Sequence, residues 1–409
     1  MASQQDIDEY NALTLVLSSL YNYSGYAKRK YIDPRIQKWN SLSKDDQELL
    51  PFYQRHLDSL NHCISMNENF TKDVALNSSS TWGVTNNPNN WNNNSVTSTE
   101  FDKITKILNQ YVREWSEAGS IERDQSFGLI LKECELLFPE FDKRSDVKVL
   151  VPGAGLGRLV VEFVKRGFQC QGNEFSYFML LNSNYILNNT YMENNFIICP
   201  YIHKFSNINK KNDQLRQVFI PDYNPNELSK EFQENHPNID FENLMSMVAG
   251  SFVDLYGPND LNSLTNIYTN NEEAVNFRKE NFENWDIIST CFFLDTASNI
   301  IDYLRTIKHA LKKNGKWINF GPLLWHHEDD ETVDNFQRKK NGSDSETESV
   351  LTPLKGLELT REDLITLIES MGFKFIKHES GIETTYGGDD KSLGSWKYKC
   401  EFWVCEKVE

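Results

Sequence analysis

Residues 147–158 read Val-Lys-Val-Leu-Val-Pro-Gly-Ala-Gly-Leu-Gly-Arg, and a second run, Phe168-Gln169-Cys170-Gln171-Gly172, leads into Asn173-Glu174. The first run is a short apolar strand that breaks into a glycine turn. Glycine adopts backbone angles that a Cβ disfavours, so the turn can be sharp and can lie close to a ligand. A helix then leads to a second strand. Its terminal carboxylate falls about twenty residues beyond Gly153, the separation at which an acidic side chain meets the ribose hydroxyls of a bound nucleotide. The turn is Gly153-x-Gly155-x-Gly157, and Arg158 stands where a dinucleotide fingerprint has its last glycine. That pattern favours S-adenosylmethionine (SAM) over NAD and predicts a Rossmann-like site in which Gly153, Gly155 and Glu174 face the cofactor.

The flanking sequence extends the pattern. Trp285–Phe293 is a continuous apolar run, as expected of a central parallel strand covered on both faces. Ser246–Ala249 is a shorter strand ending at Gly250-Ser251-Phe252, and Lys316–Phe320 is the next, after Asn314-Gly315. Asp295 to Leu311 and residues 361–371 read as helices, and 373–378 and 398–407 as closing strands. Strands alternating with helices and ending in a strand pair predict an α/β, doubly wound sheet with an antiparallel terminal strand.

Ahead of this domain, residues 7–75 show helical periodicity. Residues 77–97 are rich in Asn and Ser and are expected to be a flexible linker, since such composition buries too little apolar surface to offset ordering entropy. The expected organisation is an N-terminal helical region over 1–76, a linker over 77–99 and the catalytic domain over 100–409. Residues 207–240 read as a polar insertion, 257–282 are again polar and Asn-rich, and 328–350, charged and Ser-rich, read as a mobile loop.

Composition narrows the function. The chain has 409 residues, a net charge of −17 and an aromatic content of 12%. Nucleic-acid enzymes bind phosphates through basic surfaces, so the acidic balance argues against a nucleic-acid partner and suits a cationic small molecule or basic peptide. Seven cysteines, odd in number and without a Cys-x-x-Cys pair, read as free thiols in a reducing compartment, with no metal site. The opening MASQQDIDEY has no leader-peptide pattern and no apolar run is long enough to cross a membrane. The expected location is the cytoplasm, with the nucleus as a second compartment, and a second copy of the chain is a candidate partner.

In an open α/β sheet, ligands bind beyond the carboxyl ends of the strands. Gly153 and Gly155 follow the first strand, Glu174 the second, Ser251 and Phe252 the third, Asp295 the fourth and His326 the fifth. Five strand ends thus deliver polar or aromatic groups to one edge.

The segments LVPGAGLGRLV, CQGNEFSYFMLLNSNYILN, YIHKFSN, CFFLDTASNIIDYL and WINFGPLLWH, with the closing Tyr386/Tyr398 segment, resemble the carnosine N-methyltransferase family. The resemblance covers about residues 100–407 and, more loosely, the N-terminal helices. It implies a class I (Rossmann-like) methyltransferase with a seven-stranded sheet. SAM is then the methyl donor, S-adenosylhomocysteine the product, and a small histidine-containing dipeptide or peptide the acceptor. It implies that Gln110 and Arg113 hold the methionine end of SAM, and that Asp295, His326, Tyr386 and Tyr398 contact the substrate imidazole. The family reads Gly-Asp-Phe where this chain has Gly250-Ser251-Phe252, so adenine anchoring departs from the pattern. Plainer roles stand beside these: Asp295 as the cap of the helix after it, Tyr398 as strand core, and His327 in place of His326. His203 reads as structural or pocket-lining. Histidine methylation in other peptides or proteins is the rival activity, and a non-catalytic SAM-binding scaffold the rival class.

Overall fold

The computed structural model describes residues 4–259, 261, 272–328, 333–339, 347–353 and 356–408. Its centre is a seven-stranded sheet. The strands are β1 Lys148–Pro152, β2 Gln169–Glu174, β3 Met245–Ala249, β4 Trp285–Cys291, β5 Leu311–Gly321, β6 Phe373–Thr384 and β7 Tyr398–Lys407. Their spatial order is β6-β7-β5-β4-β1-β2-β3. The pairs β1–β2, β2–β3, β1–β4 and β4–β5 are parallel, and β7 runs antiparallel to both β5 and β6. Strand order reverses beside β1, so the crevice beyond the carboxyl ends of β1 and β4 is the expected binding position for such a sheet.

Alternation along the strands explains the apolar runs. Val149 and Val151 of β1 and Ile287 of β4 enter one core, while Leu150 and Ile288 enter the core on the opposite face. Both faces are therefore covered, and neither strand has a solvent side to place polar residues on.

Among the helices are α1 Gln4–Tyr21, α2 Tyr53–Thr81, α3 Ser98–Trp115, α4 Ser120–Leu137, α5 Arg158–Lys165, α6 Tyr177–Asn188, α7 Ile300–Ala310 and α8 Arg361–Ser370. A capping box starts α3: the Thr97 hydroxyl and the Glu100 carboxylate close its first turn reciprocally. Helices α1 and α2 pack on α6, and their apolar residues join the same core as Val149 and Ile287. A buried bridge pins them there. The Tyr23 hydroxyl lies 2.6 Å from Nε2 of His203, whose Nδ1 faces the Pro200 carbonyl at 3.2 Å, and Asn67 donates to the Tyr23 oxygen. Burial lowers the His203 pKa to about 4, so the ring is neutral and structural.

Several boundaries differ from the sequence reading. Residues 77–81, expected to begin a flexible linker, are the last turn of α2. Beyond them Trp91 is 4% exposed, donates to the Thr85 carbonyl at 2.7 Å and meets Tyr21 edge-on. Composition weighed the asparagines and missed that one buried indole can anchor the segment. The polar stretch 207–240 is folded, with a strand Val218–Ile220 pairing Phe196–Ile198 and a helix Leu228–Asn235. Strand β4 ends at Cys291 instead of Phe293, because Phe292 takes a left-handed φ of 52°. Asp295 lies in the middle of a short turn, Leu294–Thr296, and α7 starts only at Ile300. Of 257–282, residues 260 and 262–271 lie outside the described residues. Of 328–350, so do 329–332 and 340–346, while 333–339 pairs antiparallel with 347–353.

Candidate functional site

A cavity of about 560 Å³ opens at the carboxyl ends of β1, β2 and β4. Gly153, Gly155, Glu174, Ser251 and Phe252 line it from the strand ends, Gln110 and Arg113 from α3, and His326 and Tyr386 from the far side. Asp295 and Tyr398 stand behind that wall. The Asp295 carbonyl accepts the His326 amide at 2.9 Å, and the Tyr398 ring meets Phe292, a lining residue, edge-on at 5.7 Å.

The glycine turn is built as its sequence suggests. Gly153 and Gly155 have φ of 66° and 57°, and a Cβ on Gly155 would sit 2.8 Å from a Glu114 oxygen. Glu114, buried on α3, accepts the amides of Leu156 at 3.4 Å and Arg158 at 3.2 Å and the side chain of Gln110. It clamps the turn onto the helix that carries Gln110 and Arg113. Sequence reading passed over it, although it adjoins the Gln-x-x-Arg segment. The Glu174 carboxylate takes amides from Gly155, Phe175 and Ser176 at 2.9, 2.8 and 2.9 Å. Burial raises its pKa and these amides pull it back, which fixes its orientation at the cavity wall.

Arg113 is 3% exposed and stacked on aromatic rings, 4.8 Å from Phe127, 5.5 Å from Phe292 and 4.5 Å from Tyr386. Burial opposes its charge, but Tyr386, Cys291, Glu114 and Glu122 outweigh it and the pKa is raised. Its Nε and Nη2 are both buried without a hydrogen-bond partner among the described residues, Nε facing Glu122 only as an ion pair at 2.9 Å. A buried, unsatisfied guanidinium nitrogen at a cavity wall is the donor that an amino-acid carboxylate would satisfy. With the oriented Glu174 carboxylate and the open glycine turn, the residues present fit SAM.

Next to Ser251 lies an aromatic wall that the sequence reading missed. Phe293 stacks on Tyr303 at 4.8 Å, and Phe252 meets both edge-on at 5.6 and 5.8 Å. A flat, apolar base suits such a slot. Ser251 spends its hydroxyl oxygen as the cap of the helix Phe252–Tyr256, accepting the Asp254 amide at 3.4 Å.

On the opposite side, Asp295 is 3% exposed, and burial raises its pKa to about 7 against the pull of its own amide and that of Leu324. It does not cap α7: Asn299 does, accepting the Ile301 amide at 3.0 Å. His326, not His327, lines the cavity. Burial, then His327 and Lys106, lower its pKa, leaving a neutral ring at pH 7. Tyr386 keeps 41% of its surface exposed, but its hydroxyl is the buried end, and burial pushes its pKa up to about 12. Phe292 is the hub. Its ring contacts Tyr386 at 4.8 Å as well as Tyr398 and Arg113. Left-handed backbone at a bulky residue is costly and clusters at working sites. Among the described residues no cluster of three or more His, Cys, Asp or Glu side chains could hold a metal, and no helix is long and apolar enough to cross a membrane.

A family profile described as carnosine N-methyltransferase matches residues 90–409. A carnosine N-methyltransferase of Schizosaccharomyces pombe is 35% identical over 98% of this chain and 97% of its own length. The mouse enzyme of that name is 33% identical over 95% of this chain and 84% of its own length, and that of Dictyostelium discoideum 35% identical over 95% and 75%. The architecture, the cavity and these likenesses agree, and the chain belongs to the carnosine N-methyltransferase family.

Proposed function

We propose that the protein transfers the methyl group of SAM to an imidazole nitrogen of carnosine, β-alanyl-histidine, giving anserine. The observation that carries this reading is one cavity whose wall brings Glu174, Arg113 and the glycine turn together with His326 and Tyr386, the buried Asp295 standing directly behind His326.

SAM supplies an activated methyl carbon on a cationic sulfur. The rest is positioning. The attacking nitrogen must carry a free lone pair, so the ring must be neutral and in one tautomer. Asp295, ionised, accepts the N–H of one ring nitrogen and aims the other at the methyl carbon. As the new N–C bond forms, the C–S bond breaks and its electron pair stays on sulfur. The ring becomes a methylimidazolium, whose remaining N–H faces Asp295. A carboxylate with a pKa near 7 can hold or receive that proton and pass it to solvent. Neutral His326 and the Tyr386 and Tyr398 rings confine the flat substrate, and Glu174 and Arg113 fix the donor's ribose and carboxylate.

The test supplies methyl-labelled SAM to the purified protein with carnosine. Ring-methylated dipeptide supports the reading. Label transferred to peptide or protein histidine but not to the dipeptide would redirect it, and no transfer to any imidazole would remove it.

A further inference from the structure

Glu122, on α4, takes no part in lining the cavity, yet its carboxylate is shared between Arg113 and the loop that carries Tyr386. Oε1 lies 2.9 Å from Nε of Arg113 and accepts the Gly387 amide at 2.9 Å. Oε2 accepts the Thr385 hydroxyl at 2.5 Å and the Gly388 amide at 3.3 Å. Three hydrogen-bond donors and the Arg113 ion pair converge on one carboxylate that is 9% exposed. The three donors belong to the loop that carries Tyr386, whose ring stacks on the same Arg113. Every partner of Glu122 is a donor or a cation, so no amide could replace the carboxylate without presenting N–H to N–H.

We infer that Glu122 is a positioning residue that ties the cofactor-anchoring arginine to the Tyr386 loop, so that the substrate wall is set in register by the cofactor wall. Satisfying the unpartnered Nη2 of Arg113 fixes the guanidinium. The fixed guanidinium holds Glu122 through Nε and Tyr386 through its face. Glu122 then holds the backbone of residues 385–388. Binding at Arg113 is therefore expected to order the Tyr386 loop, by a contiguous chain of named contacts. This rests on the function proposed above only in taking Arg113 as the cofactor's anchor.

The experiment is hydrogen exchange across residues 384–389 of the full chain, with and without saturating S-adenosylhomocysteine, which needs no methyl acceptor. In the wild type the ligand should slow exchange there by about fivefold or more, as expected when a locally opening segment is stabilised. In Glu122→Gln the effect should vanish even at saturation. If that variant fails to fold, Thr385→Val and Thr385→Ser decide. The serine keeps the hydroxyl and should keep the protection, and the valine should lose at least half of it. Thr385→Val should also raise the KM for carnosine about fivefold with the KM for SAM nearly unchanged, a split that general destabilisation does not produce. Equal protection in Glu122→Gln or Thr385→Val and wild type, or none in wild type, would overturn the inference. A protein that shows the coupling but methylates no imidazole would leave it standing and remove the proposed function instead.

Discussion

Replacing Asp295 with asparagine should make the protein more stable and much less active, with the two effects separable by pH. The carboxyl is buried, and its pKa is raised from 3.8 to about 7 chiefly by burial. The folded state therefore binds a proton that the unfolded chain has released between these values. Stability falls as pH rises through that window, because the native fold must either keep the proton or bury a charge. A shift of about three units, at about 1.36 kcal/mol each, sets an upper bound near 4 kcal/mol on that cost above pH 7. Asparagine carries no charge but must still pair its amide, so a net gain of about 1–2 kcal/mol at pH 8 is expected, fading to about zero near pH 4. Urea unfolding of both proteins across pH 4–8 reads it. Single-turnover methylation at pH 8 should fall about 100-fold or more, because the amide can present N–H where the substrate N–H must donate. SAM affinity should barely change. A stability difference independent of pH would refute the buried-carboxyl argument, and a wild-type rate in Asp295→Asn would refute its role in holding the imidazole.

Other expectations follow from the cofactor end and from titration. Glu174→Ala should weaken SAM binding by about 1.5–3 kcal/mol, the range for charge-assisted hydrogen bonds, and calorimetry should find no NAD binding to the wild type. Gly155→Ala should lose at least about tenfold in SAM affinity, since its Cβ would lie 2.8 Å from Glu114 in a left-handed conformation, and equilibrium dialysis would show it. Ser251→Asp keeps a helix-capping oxygen and adds charge beside the aromatic wall, so SAM should bind tighter by about 1 kcal/mol; weaker binding by a folded variant would mean the slot is built around serine. Activity should rise with pH through about 7, where Asp295 and the substrate imidazole both lose protons, and an acid-favoured kcat/KM would contradict it.

The parts of the site that were legible in the sequence are those set by local backbone chemistry. Gly153, Gly155 and Glu174 are fixed by a strand, a turn and a second strand, and the pattern carries their positions directly. Strand ends placed Ser251, Phe252 and His326 at the same edge, and the family resemblance placed Gln110, Arg113 and Tyr386, which the cavity also gathers. What escaped was long-range or conformational. Glu122 meets partners at 385–388, far along the chain, and no spacing rule links them. The left-handed turn at Phe292 hid inside an apolar run that read as continuous strand, so the ring that joins Arg113, Tyr386 and Tyr398 looked like core. Trp91 ordered a segment whose composition resembled a linker, because one buried ring outweighs several solvated asparagines locally.

The most direct test of the account is the fate of the methyl group. Wild-type protein, methyl-labelled SAM and carnosine at pH 8 should give dipeptide labelled on a single imidazole nitrogen, with S-adenosylhomocysteine formed in equal amount. Label on the amino group, on both ring nitrogens without preference, or absent from the dipeptide would contradict a site in which Asp295 fixes one tautomer of a neutral imidazole against the methyl donor.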